Sequence, residues 1–221
     1  MAELIRGLRA ETVRANLDRV REAIARASGD PDRVQILAAV KYVALEELGA
    51  LGDAGLALLG ENRAQDLVAK AQAYPGRFTW DFIGHLQSRK VRSLLPHVRY
   101  LQTVASDSAL AQLARHAGRV GTDTRVLVEV NVAGEASKSG VAPQELPAFL
   151  ERCPVTVAGL MTMPPLAGRP EDSRPYFAAL ARLADRHGLS ERSMGTSQDY
   201  LVAVQEGATI VRLGTLLYRA S

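Results

Sequence analysis

The chain has 221 residues, of which 47% are hydrophobic and 23% charged, with a formal net charge of +3 at pH 7. That length provides one sizeable core, and the composition is typical of a folded globular protein. Because acidic and basic residues are interleaved and the apolar runs are short, we expect neither nucleic-acid binding nor insertion into a membrane.

Cysteine and histidine are too few and too scattered to suggest a metal site. The one cysteine, Cys153, makes no intramolecular disulfide, which is typical of a reducing compartment, and we interpret it as a small buried hydrophobe. The four histidines show no metal-ligand spacing, so we predict no metal. The N-terminus lacks the uninterrupted apolar stretch of a signal peptide, which predicts a cytoplasmic protein.

The chain opens with an amphipathic helix and then alternates strand-like with helix-like segments. Apolar residues recur at steps of three to five over residues 2–28, which predicts a long helix that Gly29 and Pro31 end. Later helical patterns are clearest at 44–54, 61–74, 106–119 and 171–188. The strand candidates are 34–42, 56–60, 78–84, 100–104, 125–131, 155–162, 192–195 and 209–213.

These strand candidates are short and rich in Val, Ile and Leu, as strands covered on both faces are. Eight βα units in 221 residues predict an α/β fold, a compact (β/α)₈ TIM-like barrel with an extra N-terminal helix. The alternative is an open doubly wound sheet, but no G-x-G-x-x-G follows the first strand. Since no linker or repeat divides the chain, we predict one domain over residues 1–221.

A lysine near the carboxyl end of the first strand needs an explanation. Alternation within residues 34–42 places Leu37, Ala39 and Lys41 on one face, so an inward Lys41 would lie partly desolvated in the barrel mouth. Partial desolvation favours the neutral amine, which attacks carbonyl groups and can form a Schiff base. The alternative is a lysine that reaches solvent or pairs with a carboxylate.

Two turns near the end of the chain carry groups that suit a phosphate. Ser197 follows the seventh strand and is expected to cap a helix, while Gly214 and Thr215 follow the eighth. Barrels often build a phosphate site from the loops after these two strands, with backbone N–H groups as donors. We therefore predict an anion cradle on this side of the mouth.

Arg212 lies within the last strand, on the same face as Ile210. An inward arginine requires an acceptor. The acceptor is either a ligand, such as a carboxylate, a phosphate or a cofactor ring nitrogen, or a structural ion pair, for which Glu129 is the candidate. A reactive lysine and a phosphate cradle at one mouth indicate a phosphorylated carbonyl compound. Both pyridoxal 5'-phosphate (PLP) and a sugar phosphate meet that description.

Motifs along nearly the whole chain give this sequence a family resemblance. They are AAVKYV around Lys41, LLGENRAQD at 58–66, WDFIGHLQSRKVR at 80–92, VNVAGEASKSG at 130–140, GLMTMPP at 159–165, SMGTSQDY at 193–200 and GATIVRLGTLLY at 207–218. Together they resemble the pyridoxal phosphate homeostasis proteins, single-domain relatives of the alanine racemase barrel. The resemblance implies PLP fold type III, with PLP as the cofactor.

The resemblance also implies roles for individual residues. Lys41 would hold PLP through a Schiff base, and Arg212 would approach the pyridine nitrogen. The phosphate would be held by Ser193, Ser197, Gly214 and Thr215. The ring would be lined by Asn62, His85 and Met161. The chain departs from the family pattern at Val40, Tyr42 and Val43, in SMGTS where SMGMS is usual, and in its last residues.

Carrier and catalyst remain alternatives at this stage. An arginine at the ring nitrogen disfavours protonation there, which weakens the ring as an electron sink. The racemase relatives gain a second base from an added β-domain and a dimer partner, which this chain is expected to lack. The resemblance therefore implies a monomeric PLP carrier in vitamin B6 homeostasis that serves PLP-dependent apoenzymes, with no catalytic residue assigned. The alternatives are a PLP-dependent amino-acid racemase and a Schiff-base aldolase.

Overall fold

Eight parallel strands close into a barrel in sequence order. The computed structural model describes residues 4–119, 125–135, 138–166 and 168–219. The strands are β1 (Gln35–Ala39), β2 (Leu58–Glu61), β3 (Thr79–Phe82), β4 (Tyr100–Val104), β5 (Arg125–Glu129), β6 (Thr156–Met161), β7 (Glu191–Thr196) and β8 (Ile210–Leu213). Strand β8 pairs with β1, which closes the sheet, so the predicted barrel is confirmed and the open sheet is excluded.

Helices follow the strands and surround the barrel. They are α1 (Ala10–Ala27), α2 (Leu48–Asp53), α3 (Ala64–Ala73), α4 (Val91–Leu94), α5 (Asp107–His116), α6 (Leu146–Glu151), α7 (Arg174–Arg186), α8 (Tyr200–Gln205) and α9 (Thr215–Tyr218). Helix α5 begins at a side-chain cap, because the Ser106 hydroxyl accepts the Ala109 N–H. Pro175 opens the first turn of α7, where its missing N–H costs nothing.

The N-terminal segment is shorter as a helix than the sequence predicts. Helix α1 begins at Ala10 rather than residue 2, and residues 2 and 3 lie outside the described ranges. The segment before it runs extended beside the turn after β1, where the Ile5 N–H donates to the Tyr42 carbonyl over 2.6 Å. This pairing competes with helix formation, so the helix begins later in the structure than the sequence predicts.

The side chains of the strands divide into two layers, as the alternation predicts. Leu37 and Ile210 lie inside the barrel, in a small apolar cluster with Tyr100, Leu127, Ala158 and Met161. Val211 and Leu213 face outward into the larger core between strands and helices. The inward face of β8 therefore carries Arg212 into the barrel, where a guanidinium needs partners.

The described part of the chain contains neither a membrane-spanning helix nor a cluster of metal-binding side chains. No helix there has the length and apolarity needed to cross a bilayer. Within the same ranges, no three His, Cys, Asp or Glu side chains come together as a metal site would require.

Candidate functional site at the barrel mouth

Most of the site residues named by the sequence lie at the carboxyl ends of barrel strands. Seven follow or end a strand: Lys41, Asn62, His85, Met161, Ser197, Gly214 and Thr215. The other two, Ser193 and Arg212, lie within β7 and β8. This is the end of the barrel where ligands bind. The backbone therefore brings the predicted residues to one mouth, and the side chains decide which of them act together.

Arg212 is the buried centre of the mouth, with 6% of the residue exposed. Its Nη1 donates to the Ser193 hydroxyl over 2.7 Å, and its Nη2 donates to the Thr162 carbonyl over 2.9 Å. No ion pair with Glu129 within 4.0 Å occurs among the described residues, so the structural alternative considered for Arg212 is not observed. Burial lowers the pKa of Arg212 to about 10.

Ser193 is fully buried and its hydroxyl is already engaged on both sides. It accepts from Arg212 and donates to the Gln102 amide oxygen over 2.6 Å. A hydroxyl in that position orients the arginine directly. That Ser193 holds a phosphate stays a prediction. Its hydrogen bonds give it a second role, the orientation of Arg212.

The two loops expected to hold phosphate meet at the mouth. The Ser197 hydroxyl accepts the Gly214 N–H over 3.3 Å, which joins the loop after β7 to the loop after β8. Ser197 does not cap a helix as expected, because α8 begins only at Tyr200, after Asp199. Asp199 instead holds the loop by accepting from the Thr196 N–H over 2.7 Å.

A cavity of about 400 Å³ lies against these loops. Its walls include Ser197 and Thr215, together with two arginines that the sequence did not place there, Arg19 of α1 and Arg219. Arginine near a phosphate-sized space adds positive charge to the hydroxyl and N–H donors. The cradle therefore has the charge and the donor types that suit a phosphate.

Asn62 supplies the clearest sign of a missing ligand. Its Oδ1 is buried and has no hydrogen-bond partner in the structure. A buried polar atom without a partner costs free energy unless a ligand or water supplies one. PLP carries a ring hydroxyl that could donate to this oxygen, so Asn62 fits a group of that kind. His85 and Met161, also predicted to line the ring, border one cavity of about 420 Å³.

Gly84 holds Asn62 in place through a close backbone approach. A Cβ at position 84 would lie 2.0 Å from the Asn62 carbonyl oxygen. We expect Gly84→Ala to lower the free energy of unfolding by about 2–3 kcal/mol and to weaken PLP retention, because the Asn62 backbone must move. Chemical denaturation measures the first effect. The control is Gly118→Ala, where nothing lies within 4 Å of the added carbon, and equal losses in both variants would contradict the account.

Glu129 predicts a specific pH dependence. Burial raises the pKa of its carboxyl above the ordinary 4.5, against the opposing hydrogen bond from Ser139. A raised folded-state pKa gives stability that is fully present below the unfolded value and is lost as pH rises through the folded value. We therefore expect Glu129→Gln to be more stable than the parent at pH 7, with the gap closing below about pH 4. Denaturation across that pH range measures it, and a gap independent of pH would refute the assignment.

Lys41 does not lie where strand alternation suggests. Strand β1 ends at Ala39, so Lys41 occupies a turn and its side chain is exposed, with Nζ 4.7 Å from the centre of the Tyr42 ring. The expected partial desolvation is therefore wrong for this structure. The side chain borders a cavity of about 360 Å³ that also includes Arg63 and Lys70, outside the group formed by Arg212 and Ser193.

A buried ion pair that the sequence reasoning missed fixes the backbone beside Lys41. Lys70 of α3 donates to Glu61 over 2.6 Å and to the Val40 carbonyl over 2.7 Å. Glu61 is fully buried, and Lys70 is 6% exposed. Lys70 stands three positions after buried Leu67, on the apolar stripe of its helix, which is the signal that could have identified it.

The chain is similar to known proteins over most of its length. The family of the alanine racemase N-terminal domain matches residues 8–221. A pyridoxal phosphate homeostasis protein of Aquifex aeolicus is 38% identical over 213 residues, covering 91% of this chain and 93% of its own. The chain belongs to the pyridoxal phosphate homeostasis protein family. The resemblance seen in the sequence is therefore confirmed over most of its length.

Solved structures extend the comparison within and beyond this family. PipY of Synechococcus elongatus PCC7942, solved with PLP bound, matches at a TM-score of 0.80 and 30% identity, covering 94% of this chain and all of its own. The same protein without PLP gives 0.81. An alanine racemase of Clostridium difficile 630 matches at 0.72 and 15% identity, and this chain covers 58% of it, which shows a shared barrel.

Proposed function

We propose that this homeostasis family member binds PLP reversibly and takes part in vitamin B6 homeostasis with little or no turnover. The observation that carries the proposal is the 30% identity to PipY, a protein solved with PLP bound, along 94% of this chain. The mouth of the barrel supports it independently, with one buried unpaired amide oxygen at Asn62 and a buried guanidinium at Arg212.

Each side of the mouth has its own part in the proposal. Lys41 supplies the amine that attaches the aldehyde, and reaching the mouth requires its Nζ to leave the Tyr42 ring. Ser193, Ser197, Gly214 and Thr215 hold the phosphate. Asn62, His85 and Met161 surround the ring. PLP, when bound, supplies an electrophilic aldehyde and a conjugated ring.

Arg212 is the reason that no catalytic residue is proposed. A guanidinium directed at the ring nitrogen repels a proton there, so the ring withdraws electrons less strongly. A group that holds the aldehyde and does not activate it suits a carrier. We propose that residues 1–221 act as one domain, as a cytoplasmic monomer, and that the cofactor passes on to PLP-dependent apoenzymes.

The visible spectrum of the purified protein tests the proposal. PLP is added, the protein is desalted, and the absorption is recorded beside an assay for deuterium exchange at the α-carbon of amino acids. We expect a retained yellow band with negligible exchange. A retained band with rapid exchange would identify a racemase instead. A protein that stays colourless would contradict PLP binding. A sugar phosphate would then be the candidate ligand for the phosphate cradle.

A further inference from the structure

A chain of buried polar side chains runs through the barrel beneath Arg212. The Ser193 hydroxyl links Arg212 to the amide oxygen of Gln102, and Gln102 Nε2 donates to Asp81 Oδ2 over 2.6 Å. Asp81 in turn accepts from Arg99 at 3.0 and 2.6 Å. Asp81, Gln102 and Ser193 are all fully buried. This series of hydrogen-bonded side chains thus joins the ligand end of the barrel to its opposite end.

The hydrogen bonds that link Asp81 to Arg212 can run in only one direction, from donor to acceptor. Both oxygens of Asp81 face donors: Arg99 twice, the Gln102 amide and the Tyr100 N–H. Burial raises the pKa of Asp81, but both of its oxygens are surrounded by donors, the Arg99 guanidinium among them. That arrangement leaves no place for a proton of its own, so Asp81 is a carboxylate. Its charge holds the Gln102 NH₂ toward Asp81 and the Gln102 carbonyl toward Ser193.

The direction continues to the mouth of the barrel. With the Gln102 carbonyl beside it, the Ser193 hydroxyl donates away from the mouth and presents a lone pair to Arg212. Arginine has donors only, so it binds Ser193 in this orientation and not in the reverse one. The other amino group of Arg212 is held by the Thr162 carbonyl. The plane of the guanidinium is therefore set from two sides.

We propose that Gln102, held by Asp81, is a positioning residue for Arg212. Gln102 lies one hydrogen bond behind Ser193 and acts on Arg212 through it. The consequence for PLP rests on the proposed function, since Arg212 is the group expected at the ring nitrogen. The orientation of Arg212 itself is a property of the protein without ligand, so the two claims are separable by experiment.

The test compares Gln102→Leu with Arg99→Lys. The first variant breaks the hydrogen-bonded chain beside Ser193. The second removes the two-point contact at the far end but keeps a positive charge beside Asp81, so the bonds from Asp81 to Arg212 stay intact, which makes it the control for a change elsewhere in the chain. Nitrogen-15 NMR of the ligand-free protein follows the Arg212 side chain, assigned by its loss in Arg212→Lys. Gln102→Asn, which keeps the amide but is one methylene short, is a second variant in case the first does not fold.

In the parent protein and in Arg99→Lys we expect separate, slowly exchanging Nη signals from Arg212. In both Gln102 variants we expect the guanidinium to rotate about tenfold faster, as the loss of one hydrogen bond predicts. Unchanged rotation in a folded Gln102 variant overturns the proposal, as does equal loosening in Arg99→Lys. Titration with PLP then tests the link to function: we expect about tenfold weaker binding and a displaced absorption band in the Gln102 variants. Faster rotation with unchanged binding and spectrum would leave Gln102 as a positioning residue and remove Arg212 from the PLP site.

Discussion

Lys70→Met is expected to lower the free energy of unfolding by about 3–5 kcal/mol, the cost of leaving a buried charge without its partner. Glu61 is fully buried and receives the Lys70 ammonium at 2.6 Å. The same ammonium satisfies the Val40 carbonyl, so the turn that carries Lys41 loses a fixed point as well. Urea denaturation of the parent and the variant measures the loss.

A double variant separates the charge from the packing. Adding Glu61→Gln to Lys70→Met removes the unpaired carboxylate while an amide oxygen can still accept the Asn62 N–H, which Glu61 binds at 2.7 Å. We expect the double variant to recover part of the lost stability. If the free energy of unfolding of Lys70→Met lies within about 1 kcal/mol of the parent value, the ion pair does not stabilise the fold as proposed, because ordinary surface substitutions have effects of that size.

Lys41→Ala is expected to abolish covalent retention of PLP and to leave the fold unchanged. The chain has four lysines, and Lys70 is committed to its buried partner. Lys41 is exposed and makes no hydrogen bond that supports the barrel among those found in the described residues, so its truncation should change stability by less than about 0.5 kcal/mol. Absorption after desalting, before and after borohydride reduction, measures the retained cofactor.

The matched control for this prediction is Lys90→Ala. Lys90 lies in the short 3₁₀ turn before α4, is half-buried, and lines none of the three cavities bordered by residues assigned to PLP. We expect it to retain the band at parent intensity. Retention by Lys41→Ala, or loss in both variants, would mean that another amine carries the aldehyde or that PLP is held without a covalent bond.

The fold could be predicted from the sequence because its signals are local and repeated. Short runs rich in Val, Ile and Leu, each followed by a helical pattern, predict a parallel barrel, and alternation within β8 correctly placed Ile210 and Arg212 inside it. The same rule misplaced Lys41, because alternation holds only while the strand continues and β1 ends two residues earlier. Strand ends depend on tertiary contacts, here the pairing of Ile5 with the turn.

The parts of the site that sequence reasoning missed depend on contacts between distant residues. Lys70 meets Glu61 across a helix and a strand, and Gln102 meets Ser193 across 91 positions of the chain. Nothing in the spacing of these residues indicates the contact. Lys70 and Gln102 are polar residues in mainly apolar stretches, which signals a buried partner without naming it.

Lys41 is the residue proposed to hold PLP. Peptide mapping by mass spectrometry of the full-length protein, after PLP loading and borohydride reduction, identifies the lysine that carries the cofactor. We expect one pyridoxyl group, on the peptide that contains Lys41. A group found on Lys90 or Lys138 instead, or no modified peptide at all, would contradict it.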